Sequence, residues 1–254
     1  MINFNIVTIN WNNLPGLVAT YKSLNEQAYK NYRWIVIDGA SKDGSLDWLE
    51  SLNNEKAEIT SQPDKGIYDA MNKGLLKALE SPGYTLFLNS GDTFANTEVL
   101  EQVSAAIQSS SKKPLFVYGD FFIKLPSGKL NYKAAKAISK LKLGLPASHQ
   151  TMYFANDGLR HVTFRTKYKL SADYCMLIEF LKNSDLSKDV IKLKTPLCIF
   201  DTTGASNTRR FEAIKEDMDI RMKYLSLPAL EAFSLYVLHY FHTHLKNLKV
   251  MIKN

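Results

Sequence analysis

Three carboxylates in this chain stand where an apolar strand gives way to a polar turn or a helix start. Asp38 closes the run Trp34-Ile35-Val36-Ile37 and opens the turn Gly39-Ala40-Ser41-Lys42-Asp43-Gly44. An Asp at such a place caps turn amides, or it presents its carboxylate to the imide or amino edge of a nucleotide base. Asp64 and Lys65 precede the helical stretch that begins at Ile67. Asp64 either caps that helix or sits with Lys65 on a pocket floor, where a helix start faces nucleotide or phosphate. Asp69 and Lys73 form an i, i+4 pair, and Asn72 falls on the turn just below. Asp92 follows the strand-like run Tyr84 to Leu88 through Asn89-Ser90-Gly91. It reads as a turn cap or as the carboxylate of a divalent-cation site, since Mg²⁺ takes one or two protein carboxylates and fills its shell with phosphate oxygens and water. A fourth acid, Asp173, lies in the first turn of a helix expected over Ala172 to Leu181, a position the helix dipole favours.

The elements that position these residues alternate. Phe4 to Ile9 is a short apolar strand, broken by Asn10-Trp11-Asn12-Asn13. A helix follows with Leu14, Leu17, Val18, Tyr21 and Leu24 on one face, then the Trp34–Ile37 strand, a helix from Ser45 to Leu52 and a weaker strand from Ala57 to Ser61. Ile67, Ala70, Met71, Gly74, Leu75, Ala78 and Leu79 give the clearest helical stripe. Strands near Tyr84–Leu88 and Leu115–Tyr118 flank a helix over Val99–Ile107. Such alternation predicts an α/β fold, a mostly parallel central sheet covered by helices on both faces. In such sheets ligands bind beyond the carboxyl ends of the strands. Those ends carry Asn10, Asp38, Asn89 to Asp92, and Gly119-Asp120. The second half is less regular: a hairpin and basic loop over Leu125–Leu145 turning at Pro126-Ser127-Gly128, a short strand at Met152–Phe154, strand-rich sequence over Val190–Phe200, and two helical pieces from Phe211 onward, broken near Pro228.

Bulk properties narrow the class. With 254 residues, 45% hydrophobic and 22% charged, the chain has material for a substantial core. Its two cysteines, Cys175 and Cys198, have no metal-cluster spacing and form no disulfide framework. The start Met1-Ile2-Asn3-Phe4-Asn5 reads as a strand rather than a signal peptide, and no apolar run is long enough to span a bilayer. The net charge of +7 suits a solvated basic surface or attraction to nucleotide diphosphate, lipid phosphate or membrane. No dense basic patch interleaved with aromatics points to nucleic acid.

Taken in order, Val7-Thr8-Ile9-Asn10, the Ile37–Gly44 turn, Pro63 to Gly74 and Leu88 to Asp92 resemble the inverting family-2 nucleotide-sugar glycosyltransferases, which have the GT-A fold. The resemblance is dense over about the first 120 residues and is nearest to the short transferases of bacterial exopolysaccharide, capsule and lipopolysaccharide assembly. It implies a catalytic domain over 1–225, with 1–120 binding the nucleotide-sugar and 121–225 facing the acceptor, and a basic amphipathic helix over 226–254. It implies that Thr8 and Asn10 line the nucleotide site, that Asp38 holds the base, that Asp64 and Lys65 lie near base and ribose with Asn72 just below the donor, and that Ser90 and Gly91 border the donor. Asp92 matches the last acid of the family's D-x-D motif and would hold Mg²⁺ or Mn²⁺; here the motif reads Asn89-Ser90-Gly91-Asp92, without its first carboxylate. Asp173, in Ser171-Ala172-Asp173-Tyr174, matches the catalytic base. His149-Gln150 and Asp120 fall where acceptor contacts are expected, and Thr202 to Asn207 followed by Arg209 and Arg210 matches a late loop closing over the donor diphosphate.

The reaction implied is one in-line displacement from a nucleotide diphosphate donor, UDP-sugar by default, onto a glycan or lipid-linked acceptor, on the inner face of the plasma membrane. From Ala232 to Asn254 there is no acidic residue, while Phe233, Val237, Phe241, Leu245 and Leu248 share a helical stripe with Lys246, Lys249 and Lys253 nearby. Such a helix lies on an anionic bilayer, packs on the catalytic domain or joins a dimer. The rival reading is a non-catalytic nucleotide-sugar-binding or scaffold subunit, kept open by the incomplete D-x-D motif.

Overall fold

The computed structural model describes residues 1–201 and 209–251. The first half runs β1 (Phe4–Asn10), α1 (Leu14–Asn25), β2 (Tyr32–Asp38), α2 (Ser45–Ser51), β3 (Ala57–Ser61), α3 (Ile67–Ala78), β4 (Tyr84–Phe87), β5 (Thr93–Phe94) and α4 (Val99–Ser109). The second runs β6 (Phe116–Lys124), β7 (Leu130–Lys133), two 3-10 turns (Ile138–Leu143 and His149–Thr151), β8 (Met152–Ala155), α5 (Asn156–Leu159), α6 (Ala172–Leu181), β9 (Val190–Asp201), α7 (Arg210–Tyr224) and α8 (Ala229–Met251). Among the described residues nine strands form one sheet in the order β3-β2-β1-β4-β8-β6-β9-β5, with β7 on β6. β3-β2-β1-β4 are parallel, as are β6 and β9; β8 runs antiparallel to both β4 and β6, and β5 to β9. β6 therefore points the same way as β1, and it crosses the boundary expected at 120/121.

Why the first half folds this way is visible in β1, whose seven residues are all buried. Val7 and Ile9 enter the core beneath α3 and α6, while Phe4 and Ile6 enter the one beneath α1 and α4. A strand covered on both faces carries an unbroken apolar run. Gly74 lets α3 close on it: a methyl group there would meet Val7 Cγ1 at 2.3 Å. Asn13 caps α1, accepting from Gly16 N at 3.2 Å, with proline in the first turn.

The chain leaves β1 toward β2 and β3, then returns to place β4 on the other side of β1. That reversal opens a crevice at the carboxyl ends of β1 and β4, the switch point at which open α/β sheets bind ligands. The second half closes the crevice. β8 and β6 extend the sheet, and α6, packed against α7, meets the start of α3 through Asp173 and Tyr68. No helix among the described residues is long and apolar enough to cross a membrane.

Candidate active site

The crevice is a cavity of about 1050 Å³. Its first wall comes from the loops after β1 and β4, which are sewn together. Asn13 Nδ2 donates to Ser90 O at 3.2 Å, and Ser90 Oγ donates to Asn13 O at 3.2 Å. Gly91 takes φ +102°, a left-handed conformation glycine tolerates. Its N–H donates to Thr20 Oγ1 at 3.0 Å, and that hydroxyl donates to Asp92 O at 2.8 Å. Asp92 is thereby held at the cavity, 5% exposed, with Gln150 Nε2 donating to its Oδ2 at 2.6 Å. Ser148 Oγ holds the other end of that Gln150 amide.

Asp38 takes a different place from the one expected. It is fully buried and does not line the cavity. Its oxygens accept from Asn10 Nδ2 at 2.9 Å, Ser41 N at 2.9 Å, Ser41 Oγ at 2.5 Å and Ser61 Oγ at 2.7 Å. Burial alone would raise its carboxyl, but the hydrogen bonds from Ser41, Ser61 and Asn10 hold it below the usual carboxylate range. Asp38 is thus a brace joining the ends of β1, β2 and β3. Asn10 does line the cavity, and its buried Oδ1 has no hydrogen-bond partner among the described residues. Thr8 is also turned inward, accepting from Trp34 Nε1 at 2.9 Å within the core.

Asp64 lines the cavity at the start of α3, with Oδ1 accepting from Gly66 N at 2.8 Å. Gly39 makes room for it: a methyl group there would meet Asp64 Oδ2 at 2.5 Å and the Trp11 ring at 3.2 Å. Lys65 is exposed outside the cavity, its backbone N–H donating to Asp69 Oδ2 at 3.0 Å. Asn72 also faces away, its amide exchanging two 2.8 Å hydrogen bonds with the backbone of Phe164.

The second half delivers Asp173 and His149 to the same cavity. Asp173 Oδ1 accepts from Tyr174 N at 2.9 Å and from Tyr68 OH, on α3, at 3.2 Å. Burial, then the Asp173 charge, pushes the Tyr68 phenol well up, so it stays a donor. His149 Nδ1 lies 3.4 Å from Asp173 Oδ2, and its Nε2 lies 3.1 Å from Asn89 Nδ2. Asn89 Nδ2 is placed to donate to Nε2, and Nδ1 faces the Asp173 carboxylate. One imidazole thus links the expected base to the loop that carries Asp92.

The far wall comes from α7. Arg210 and Asp217 line it, and burial pushes the Asp217 carboxyl up. Arg209 turns out to solvent, paired with Glu212 at 2.9 Å. The loop Thr202 to Asn207 lies outside the described residues. Asp120 is buried away from the cavity, accepting from Tyr132 OH at 2.5 Å and Ala135 N at 2.7 Å; it anchors the segment that carries Lys136 to the wall.

The fold therefore brings Asn10, Asp64, Ser90, Gly91, Asp92, His149, Gln150, Asp173 and Arg210 around one cavity. It leaves Thr8, Asp38, Lys65, Asn72, Asp120 and Arg209 off its wall. Sequence reasoning missed Trp11, Tyr68, Lys136, Lys169 and Asp217, which also line it. Trp11 carried a signal: a large aromatic, 71% exposed, in a turn otherwise built of asparagines. Among the described residues there is no group of three or more His, Cys, Asp or Glu able to cage a metal. Asp92, one carboxylate beside an open cavity, still fits a cation of the Mg²⁺ kind, which draws most of its oxygens from substrate and water.

Known proteins resemble this chain in sequence and in fold. The model of Glycosyl transferase family 2 matches residues 5–153. An uncharacterized glycosyltransferase of Mycobacterium tuberculosis is 30% identical over 231 residues, covering 86% of this chain and 84% of the relative. A PGL/p-HBAD biosynthesis glycosyltransferase of Mycobacterium bovis is 26% identical over 187 residues, covering 72% of this chain and 71% of the relative. Among solved structures, S. aureus TarS 1-349 in complex with UDP-GlcNAc superposes with a TM-score of 0.71 at 15% identity, covering 95% of this chain and 73% of that one. The mannosyltransferase PcManGT from Pyrobaculum calidifontis, in complex with GDP-Man and Mn²⁺, superposes with a TM-score of 0.66 at 13% identity, covering 92% and 70%. At such identities the two structures speak for a shared GT-A fold. The chain is a glycosyltransferase of that fold and belongs to glycosyl transferase family 2.

Proposed function

We propose that this enzyme transfers a sugar, with inversion, from a UDP-sugar to a glycan or lipid-linked acceptor in bacterial surface polysaccharide synthesis. The observation that carries the reading is the opening of Asp92 and Asp173 onto one cavity, linked through Asn89 and His149. In it the base edge meets Asn10, whose amide is set by Asp38 and whose Oδ1 lacks a partner among the described residues. The exposed Trp11 ring offers a stacking face for the base, and Asp64 lies beside the ribose. Ser90, Gly91 and Asp92 border the diphosphate, with Arg210 approaching from α7. Asp92 would hold a divalent cation, which supplies positive charge to the diphosphate oxygens.

Asp173 takes the proton of the acceptor hydroxyl as that oxygen forms its bond to the anomeric carbon. The bond to the diphosphate oxygen breaks on the opposite face, and its electron pair leaves with the nucleotide. Tyr68 and His149 hold the Asp173 carboxylate for this task. A single displacement needs no second catalytic carboxylate, unlike glycoside hydrolysis.

For location, α8 exposes Leu230, Phe233, Leu238, Phe241 and Leu245. The tail from Ala232 carries Lys246, Lys249 and Lys253 and no acid. This combination suits an anionic bilayer surface, on which the acceptor would be presented.

A panel of nucleotide-sugars with Mg²⁺ or Mn²⁺, scored by nucleotide release, tests the reading. Release of UDP from one UDP-sugar, faster with acceptor, is expected. Binding of donors without any release would favour the non-catalytic subunit, and binding of no nucleotide would reject both.

A further inference from the structure

Asp92 is the carboxylate placed to meet a cation, and the chain carries Asn89 where a second acid could have helped it. An ion of the Mg²⁺ kind takes one or two protein carboxylates. With one, the direction in which that carboxylate points decides how well the seat works. Two segments fix Asp92. From α1, Thr20 Oγ1 donates to Asp92 O at 2.8 Å and holds the backbone. From the turn His149–Thr151, Gln150 Nε2 donates to Asp92 Oδ2 at 2.6 Å and holds the side chain.

The Gln150 amide is itself fixed. An ionised carboxylate only accepts, so the end of the amide facing Asp92 is the donor Nε2, and Ser148 Oγ donates to Oε1 at the other end. The turn is tied down as well. Thr151 N and Thr151 Oγ1 both donate to Ser148 O, at 3.0 and 2.8 Å, and the turn packs on β4, β6 and β9. Gln150 is 1% exposed. Burying an amide costs free energy that an apolar side chain would avoid, so filling space does not account for it. A neutral donor also does what a lysine or arginine there would not. It turns the carboxylate without neutralising it, and it adds no charge that repels a divalent ion. His149, the preceding residue, lies 3.4 Å from Asp173, so one short turn touches both the expected cation ligand and the expected base.

We propose that Gln150 is the positioning residue for the Asp92 carboxylate and makes up for the acid missing at Asn89. The proposal rests on the reading above that Asp92 seats a divalent cation. It moves Gln150 from acceptor contact to the support of the donor side.

Mn²⁺ and UDP are the probes. UDP is titrated calorimetrically into the full chain, in EDTA and in saturating Mn²⁺, for wild type, Gln150→Ala, Gln150→Glu and Ser148→Ala, with thermal unfolding of each. Wild type should bind UDP more tightly with Mn²⁺. Gln150→Ala should lose about tenfold of that gain, the lower end of what outer-shell partners of metal ligands contribute, while its UDP affinity in EDTA stays within twofold. Ser148→Ala should lose a smaller part. Gln150→Glu faces Asp92 with a second acid, so its unfolding midpoint should fall in EDTA and recover with Mn²⁺. It should also bind Mn²⁺ without UDP more tightly than wild type, read from the paramagnetic resonance of the free ion. An undiminished Mn²⁺ gain in Gln150→Ala would overturn the proposal and leave the cation seat standing. Equal weakening of UDP in EDTA and in Mn²⁺ would overturn it too, since Gln150 would then only shape the pocket. If Gln150→Ala does not fold, Ser148→Ala and Gln150→Glu decide by the same readouts. Absence of any Mn²⁺ gain in wild type would remove the cation seat and this proposal with it, and absence of UDP binding would reject the glycosyltransfer reading.

Discussion

The two walls of the cavity are built on different physical plans. The first, from the loops after β1 and β4, is held largely from within: Asp38 collects hydrogen bonds from Asn10, Ser41 and Ser61, and Asn13 and Ser90 bond each other, while Asn10 Oδ1 has no partner among the described residues. The second draws Lys136, His149, Lys169, Asp173, Arg210 and Asp217 from separate segments, cations and acids together. A wall whose polar groups already hold one another suits a ligand of fixed shape, such as a nucleotide. A wall that gathers cations and acids from distant segments suits proton transfer at Asp173. The lesson is that one half of the site is written in strand ends, and the other in residues that only the tertiary fold brings together.

Asp173→Asn should produce the largest effect, because it removes the proton acceptor and keeps the shape. Turnover should fall by about 10²–10⁴-fold, the usual contribution of a positioned base, measured as UDP release with acceptor. A loss below tenfold would move the chemistry elsewhere on the second wall. Asp38→Ala should instead damage the first wall as structure. It strands the donors of Asn10, Ser41 and Ser61 and should cost about 3 kcal/mol in denaturant unfolding. The carboxyl is held low when folded, so its contribution is present above the unfolded value and is lost as pH falls through the folded one. The acid limb of the stability profile should flatten in the variant; an unchanged midpoint would mean Asp38 braces nothing.

Trp11→Ala should weaken UDP binding by roughly tenfold, within the 1–3 kcal/mol typical of a base stacked on an aromatic, with stability unchanged. Equal UDP affinity would place the base off this ring. The smallest effect concerns the cationic wall. His239 is lowered from 6.5 to about 4, by burial first and then by Arg221, Arg210 and Lys136. Between those values the unfolded chain binds the extra proton, so stability drops as pH falls from 6.5 toward about 4. His239→Gln should remove about 1 kcal/mol of that drop, the linkage value discounted for a half-exposed ring. A profile identical to wild type would mean the cations do not reach this ring.

Much of this was legible in the sequence, and the rest was hidden for physical reasons. The strands at Phe4 and Trp34 read clearly because both their faces are covered, so the apolar run is unbroken. The helix over Ala172–Leu181 and the break near Pro228 are where periodicity placed them. Two-residue β5 and four-residue α5 left no pattern to read, since neither completes a period. Polar residues at strand ends were legible as a group, but not their individual directions. Asn10 and Asp38 are paired in register across β1 and β2, yet one lines the cavity and the other braces it. That choice is made by Ser41 and Ser61, which lie on other elements. The Tyr68–Asp173 contact joins residues 105 apart, and no local spacing announces it.

The central claim is that the first wall holds the donor while the second performs the chemistry. Calorimetric titration of UDP with Mg²⁺ into wild type, Asp92→Asn and Asp173→Asn tests it most directly. The account predicts at least tenfold weaker UDP binding for Asp92→Asn and affinity within twofold of wild type for Asp173→Asn. Equal weakening in both variants, or in Asp173→Asn alone, would contradict it.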